Sequence, residues 1–192
     1  VARSPRAAPS NSTAAMPPVP SNCAAIIRSA SPGPRRMRTS PSATIARMKD
    51  GTTHLAYKAE HVVDLQSDLI LAAEIRPTTH RDTQTLVDSV LKAEENLQAI
   101  GAEQSIEEVV ADKGYHKAQN LVEIEGLSPF GIKTYIPEPQ SQYERVWTDK
   151  PASYKKAVYN NRKRCSRDHG KQFQRRRSEV VERSFAHVCE TG

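Results

Sequence analysis

The chain has 192 residues and a formal net charge of +6, with 37% hydrophobic and 5% aromatic residues. This length accommodates one domain of ordinary size with a modest core and an additional tail. No apolar run approaches the roughly 18 residues that a bilayer span requires, so no membrane-spanning helix is expected. The three cysteines are too few for a disulfide framework, which favours a reducing, cytoplasmic setting.

The charge is distributed unevenly along the chain. Residues 1–48 hold seven arginines and no acidic residue, residues 49–144 carry a net charge of −9, and residues 145–192 carry +8. A basic C-terminal third beside an acidic middle suggests two surfaces that meet different partners.

Residues 1–48 are predicted to be a disordered tail. They contain 8 of the 13 prolines together with eight serines, and no apolar periodicity of 2 or 3.6 residues runs through them. Such a segment buries too little apolar surface to offset the entropy that ordering it would cost.

Residues 49–192 are predicted to form one α/β unit, which begins with a hairpin. Residues 53–65 alternate between apolar and polar side chains, and residues 69–75 form a second apolar run after a short turn. This pattern is typical of two paired strands. From Asp82 the apolar spacing changes to 3.6 residues, which predicts a helix that ends near Gly101.

The remaining predicted elements are short. They are a strand over 107–112, a turn over 113–115, a helix over 117–126, a strand over 131–137, a polar loop over 138–150, and basic helices over 151–167 and 172–188. Trp147 is expected to anchor the polar loop rather than to stack on a base. A strand–helix–strand crossover makes a parallel pair, so the sheet should be mixed, with helices flanking it.

The candidate chemistry depends on two carboxylates, Asp112 and Glu182. Asp112 closes an apolar strand, at the edge of a sheet where active sites tend to lie, and precedes a glycine turn. Glu182 lies in a helix that is basic on its N-terminal side. Carboxylates that hold divalent metal ions among basic side chains suit phosphodiester chemistry. In the simpler interpretation, Asp112 forms a turn and Glu182 pairs with a nearby arginine.

Three separated blocks carry a family resemblance. They are residues 48–64 (MKDGTTHLAYKAEHVVD), 109–116 (VVADKGYH) and 181–192 (VERSFAHVCETG). In this order they resemble the DDE-type transposases of bacterial insertion sequences, in the broad IS4/IS5/IS1182 group, from about residue 45 onward. The resemblance implies an RNase H-like fold that cuts and joins DNA with Mg²⁺ (or Mn²⁺) held by an Asp-Asp-Glu triad.

The resemblance also implies roles, partners and a location. Asp112 resembles the second Asp of the triad and Glu182 its Glu, so both are expected to be catalytic metal ligands. The basic region before Glu182 is expected to contact DNA phosphates through Arg162, Arg164, Lys171, Arg175, Arg176 and Arg177. The implied partner is DNA at the ends of an insertion sequence, and no membrane is involved. The resemblance is also compatible with a homodimer in a transposition complex. The implied location is the bacterial cytoplasm, at the nucleoid.

The chain departs from the family at the first Asp, which lies on a strand upstream of the hairpin. That region here is the Pro/Ser/Arg-rich tail, so the sheet is expected to lack its first strand. Asp50 and Asp64 are the nearest acidic residues that could replace the first Asp, although Asp64 is better interpreted as a strand-end residue. Because the family usually continues beyond Gly192, we expect a truncated or frame-shifted transposase, with little or no strand-transfer activity.

Three alternatives remain. A non-catalytic DNA-binding remnant fits the basic C-terminal third equally well. A zinc module would use Cys165, His169, His187 and Cys189, but their spacing is poor for a structural zinc site. A cysteine–histidine hydrolase is weaker still, because no pattern puts a cysteine beside a histidine and an orienting partner.

Overall fold

The computed structural model describes residues 23–30, 44–47 and 53–191, and describes only the backbone at 23–30, 44–47, 54–56, 182 and 185–191. The strands in these ranges are β1 (Cys23–Ala30), β2 (Thr44–Arg47), β3 (Thr53–Asp64), β4 (Ile70–Pro77), β5 (Ile106–Ala111) and β6 (Lys133–Tyr135). The helices are α1 (Asp82–Ala99), α2 (Ala118–Gly126), α3 (Ala152–Ser166) and α4 (Asp168–Thr191), with a 3₁₀ turn at Lys113–Tyr115. None of these helices has the length and hydropathy of a membrane span.

The strands form one mixed sheet with β1 inside it. β1 pairs antiparallel with β3 and parallel with β5, and β6 continues the parallel part beyond β5. β3 also pairs antiparallel with β2 and with β4. The predicted hairpin, the predicted mixed sheet and the α/β class are therefore confirmed.

Side-chain alternation sends apolar residues to both faces of the sheet. Val62 of β3 and Val109 of β5 belong to a cluster with residues of α1, α2 and α3. Val63 and Val110, the next residue on each strand, belong to a second cluster with Val180 and Val181 of α4. Each α4 valine is 1% exposed, and burying a valine stabilises a fold by roughly 1.5 kcal/mol or more. This burial fixes α4 over the middle of the sheet.

The prediction that residues 1–48 lack regular structure is wrong in two places. Cys23–Ala30 and Thr44–Arg47 are strands, and the other residues of 1–48 lie outside the described ranges. The apolar run that begins at Cys23 is short, and the prolines on either side of it are typical of a segment without regular structure. Because β1 has a partner strand on each side, the expected loss of the first strand is also wrong.

The junction between α3 and α4 is tight, with Arg167 alone between them. Gly170, in the first turn of α4, lies against the end of α3. A Cβ atom there would come within 2.3 Å of the backbone oxygen of Arg164 and 2.9 Å of the Cα of Cys165. The close approach of the two helices therefore requires glycine at this position.

The polar loop before α3 is anchored by its tryptophan, as predicted. Trp147 is half-buried and packs against the apolar cluster that contains Val62 and Val109. Its ring centre lies 6.3 Å from that of Tyr159. The loop is thereby held against α3, next to the start of α2.

Candidate active-site edge of the sheet

Asp112 follows β5 directly, at the edge of the sheet where the 3₁₀ turn begins. Its backbone oxygen accepts a hydrogen bond of 3.0 Å from Tyr115, whereas its side chain is 54% exposed and does not cap the turn. The Oδ1 atom lies 3.8 Å from Nη2 of Arg177 in α4. Asp112 therefore presents a carboxylate to solvent beside a guanidinium.

The strand register gives Asp112 two neighbours in the sheet. The last pair of β1 and β5 joins Ile27 to Ala111, and the residues that follow are Arg28 on β1 and Asp112 just after β5. On its other side Arg28 pairs with His61 of β3. When the β1–β5 register is extended by this one residue, His61, Arg28 and Asp112 lie in one row at this edge of the sheet.

Helix α4 crosses this row. Arg177 reaches Asp112 at one end, and at the other Ser184 Oγ lies 2.7 Å from Nε2 of His61, which is 6% exposed. Seven helical residues span about 10.5 Å, close to the roughly 9.6 Å across two strand spacings. Glu182 lies in α4 between these two contacts, and its side chain is outside the described part.

Asp64 belongs to a different part of the sheet. It pairs with Ala25 of β1, which also pairs with Val109, so Asp64 is level with a residue about 10 Å before Asp112 along β5. Its carboxylate accepts hydrogen bonds from the backbone nitrogens of Gln66 (3.2 Å) and Ser67 (3.0 Å), and from the Ser67 hydroxyl. Asp64 is thus a buried strand-end residue that closes its own turn, whereas Asp50 lies outside the described residues.

The described side chains along this row do not form a complete metal site. Within those residues, no group of three or more His, Cys, Asp and Glu side chains could hold a metal ion. The charged group nearest Asp112 is a guanidinium, and position 28 also holds an arginine rather than an acid. Arginine supplies none of the anionic oxygen ligands that a divalent metal needs.

Three of the basic residues expected to contact DNA bind acceptors inside the protein. Arg164 donates from Nε to the backbone oxygen and from Nη2 to the hydroxyl of Thr134, both at 3.0 Å. Arg176 donates to the backbone oxygen of Leu65 at 3.2 Å and pairs with Asp68 at 3.1 Å. Arg177, besides meeting Asp112, donates to Gln174 at 3.1 Å. These three arginines dock α3 and α4 onto the sheet.

The other three basic residues are exposed. Arg162 is held by Glu138 through two hydrogen bonds of 2.9 and 2.8 Å, and it lies over the ring of Tyr159. Lys171 is 60% exposed and lies 3.5 Å from Asp168, and Arg175 is on the exposed side of α4. Lys171 and Arg175 are therefore the best placed of the six for contact with an outside anion.

A buried charged group that was missed in the sequence supports the turn after Asp112. Glu60 of β3 is 2% exposed and lies 2.8 Å from Nζ of Lys58 and 3.4 Å from Nε of Arg76. It also accepts hydrogen bonds from Thr85 of α1 at 2.7 Å and from the hydroxyl of Tyr115 at 3.1 Å. The only sequence signal was a Glu inside an alternating strand, which reads as a surface residue.

The two described residues of the alternative zinc set, Cys165 and His169, belong to no group of three or more metal-binding side chains among the described residues. Burial raises the pKa of Cys165 to about 11, which keeps its thiol protonated. His169 packs against the rings of Tyr135 and Phe173 and lies 3.6 Å from Glu108. A protonated thiol is a poor nucleophile and a poor ligand. The side chains of His187 and Cys189 lie outside the described residues.

Comparison with known proteins identifies the family. Residues 33–191 match the family model described as "Transposase DDE domain". No curated protein and no solved structure matched the chain. The matched range covers well over half of the chain and includes β2 to β6 and all four helices. The chain belongs to the transposase DDE domain family.

Proposed function

We propose that this chain is a DNA-binding transposase domain that holds insertion-sequence ends, and that it retains two of the family's three carboxylates, Asp112 and Glu182. The family match supports transposition as the process and DNA as the partner. The family generally uses divalent metal ions, and these carboxylates would be ligands of Mg²⁺ or Mn²⁺. Asp112 directly follows β5, and Glu182 lies in α4, whose Arg177 contacts Asp112.

One observation carries the proposal that cleavage by this chain is weak or absent, namely the register of β1 and β5. The family's first Asp belongs on a strand upstream of the hairpin, and β1 is such a strand. The register of β1 and β5 ends at Ile27 and Ala111, and extending it by one residue aligns Arg28 with Asp112. Arginine supplies no anionic ligand, and two close metal ions need several anionic ligands to offset their own repulsion. This register also favours the alternative of a non-catalytic DNA-binding remnant.

The course of α4 supports the inclusion of residue 182 with Asp112. The helix contacts Asp112 through Arg177 and His61 through Ser184. Residue 182 lies in α4 between these two positions.

The sheet also supports an RNase H-like fold. Its inner strand β1 is antiparallel to β3 and parallel to β5, and helices cover both faces. We further propose that the domain works as a homodimer in a transposition complex, in the cytoplasm at the nucleoid, because its substrate is chromosomal DNA.

DNA binding is tested by the fluorescence anisotropy of a labelled duplex at increasing salt concentration. We expect affinity to fall steeply with salt, and the double variant Lys171→Gln/Arg175→Gln to bind more weakly and with a shallower salt slope. Asp112→Asn should bind at least as well as the parent. A duplex affinity that does not depend on salt, or that survives the double substitution unchanged, contradicts the proposed surface.

A further inference from the structure

A solvent-open pocket lies between the start of α2 and the polar loop, a few residues along the chain from Asp112. Its volume is about 330 Å³, which is larger than a phosphate ion. Its lining includes His116, Lys117, Arg145, Trp147 and Lys150. The lining thus holds three cations and, among the described residues, no carboxylate. This charge pattern favours an anionic occupant.

The start of α2 adds backbone donors to the same wall. The first N–H groups of a helix have no acceptor within the helix, and the N-cap residue, Lys117, does not cap them with its side chain. These donors and the helix dipole favour a negative charge at this point. Ala118 and Gln119, in the first turn of α2, are both among the lining residues.

His116 provides an independent sign of a missing ligand. Its side chain is buried, with 8% exposure, and neither ring nitrogen has a hydrogen-bond partner within the described residues. Burial lowers the pKa of His116, with a further lowering from Arg145, so the ring is held neutral with one N–H to donate. A buried imidazole without partners is costly unless a ligand or water completes its hydrogen bonds.

The loop cations are held in place before any ligand arrives. Arg145 lies 5.6 Å and Lys150 5.9 Å from the centre of the Trp147 ring. Glu138, outside the lining, pairs with Arg145 at 3.0 Å and balances only part of the pocket's charge. Cations held in position in this way lose little conformational freedom when they bind an anion.

We propose that this pocket binds the phosphate group of a nucleotide, through the start of α2, Lys117, Arg145, Lys150 and the N–H of His116. The inference rests on the proposed function only for the source of the phosphate, which is nucleic acid. It adds a second contact with DNA, separate from the exposed cations of α4.

Trp147 is the single tryptophan of the chain, so its fluorescence reports occupancy of the pocket. The probes are inorganic phosphate, thymidine 5′-monophosphate and thymidine, each titrated against the full chain. We expect a saturable change with the monophosphate, a weaker one with inorganic phosphate and none with thymidine. Equal responses to thymidine and its monophosphate would overturn the assignment of a phosphate site.

The matched variants are Lys117→Gln/Arg145→Gln in the pocket and Lys155→Gln on the exposed surface of α3. The double variant should weaken the monophosphate at least tenfold, and Lys155→Gln should leave it unchanged. Equilibrium dialysis with labelled monophosphate provides a reading independent of fluorescence. Unchanged binding by the double variant, or no saturable binding by the parent, refutes the pocket even if duplex binding through α4 is intact.

Discussion

Arg177 of α4 lies 3.8 Å from Asp112 at the end of β5, and this contact brings the Arg175–Arg177 run of α4 to the sheet edge that holds the candidate carboxylate. The guanidinium is 15% exposed and the carboxylate 54% exposed. The pair is thus half in solvent, and its carboxylate is available to other partners.

Replacing Asp112 should affect function more than stability. For Asp112→Asn we expect a loss of at most about 1 kcal/mol in the free energy of unfolding, because partly exposed ion pairs contribute little. Glu60→Gln is the contrasting variant, since it leaves Lys58 and Arg76 without their buried partner and should cost about 3 kcal/mol. Urea unfolding measures both, and a larger loss for Asp112→Asn than for Glu60→Gln contradicts the account.

Restoring a carboxylate at position 28 should create a divalent metal site. Arg28→Asp replaces the cation in register with Asp112 by an anion, so Mn²⁺ should bind at least tenfold more tightly than to the parent. Electron paramagnetic resonance of free Mn²⁺ measures the affinity. The control is Arg81→Asp, an exposed residue before α1. An equal gain in Mn²⁺ affinity for the control would mean that the change in net charge, and not the position of residue 28, is responsible.

Two arginines of the basic region should separate folding from DNA binding. Arg164→Gln removes two hydrogen bonds to Thr134 and should destabilise the chain by about 1–3 kcal/mol, with little change in salt slope for DNA. Arg175→Gln should leave the melting temperature unchanged and weaken DNA binding. Thermal unfolding and anisotropy on the same samples check both, and the reverse pattern would show that Arg164 is the DNA contact.

Gly170→Ala should destabilise the chain by more than about 2 kcal/mol, because the added methyl group meets the backbone of α3, which cannot move without separating the two helices. Gly126→Ala is the control, since a Cβ there has open space around it. Chemical denaturation compares the two. Equal stability for both variants would mean that the α3–α4 junction is looser than described.

Cys165 should react slowly with thiol reagents, and its ionisation should lower the free energy of unfolding at high pH. Its pKa in the folded state, about 11, is above the ordinary value of 9.0, so the unfolded chain loses the thiol proton first. This group's contribution to stability is therefore complete below pH 9 and is lost as the pH rises towards 11. In a Cys23→Ser/Cys189→Ser background, labelling at pH 8 should be far slower than after unfolding. Equal labelling rates in the folded and unfolded chain would contradict a partly buried thiol with a raised pKa.

Most of the elements from residue 53 onward could be predicted from the sequence, because apolar periodicity is strong there. The strand that ends before Asp112 and the break at Gly126 were recognised from local patterns. β1 was not predicted, since its apolar run is short and is flanked by Pro20 and Pro32. Its stability depends on β3 and β5, which are distant in the sequence.

The site was predictable only in part, because its arrangement also depends on residues that are distant in the sequence. Asp112 was recognised because it follows an apolar strand, and its position at the sheet edge is confirmed. The proximity of Arg28 and Asp112 arises from a parallel register between residues more than 80 positions apart, which no local pattern encodes. The contact between His61 and Ser184 depends on the path of α4 across the sheet, which no local pattern encodes either.

The most direct test of the central claim is Mn²⁺-dependent nicking of supercoiled DNA by the parent chain, by Arg28→Asp, and by Arg28→Asp/Asp112→Ala. We expect little or no nicking by the parent, nicking by Arg28→Asp, and none once Asp112 is also removed. Nicking by the parent that disappears in Asp112→Ala alone would show that two carboxylates suffice, and an inactive Arg28→Asp would show that position 28 is not the missing ligand.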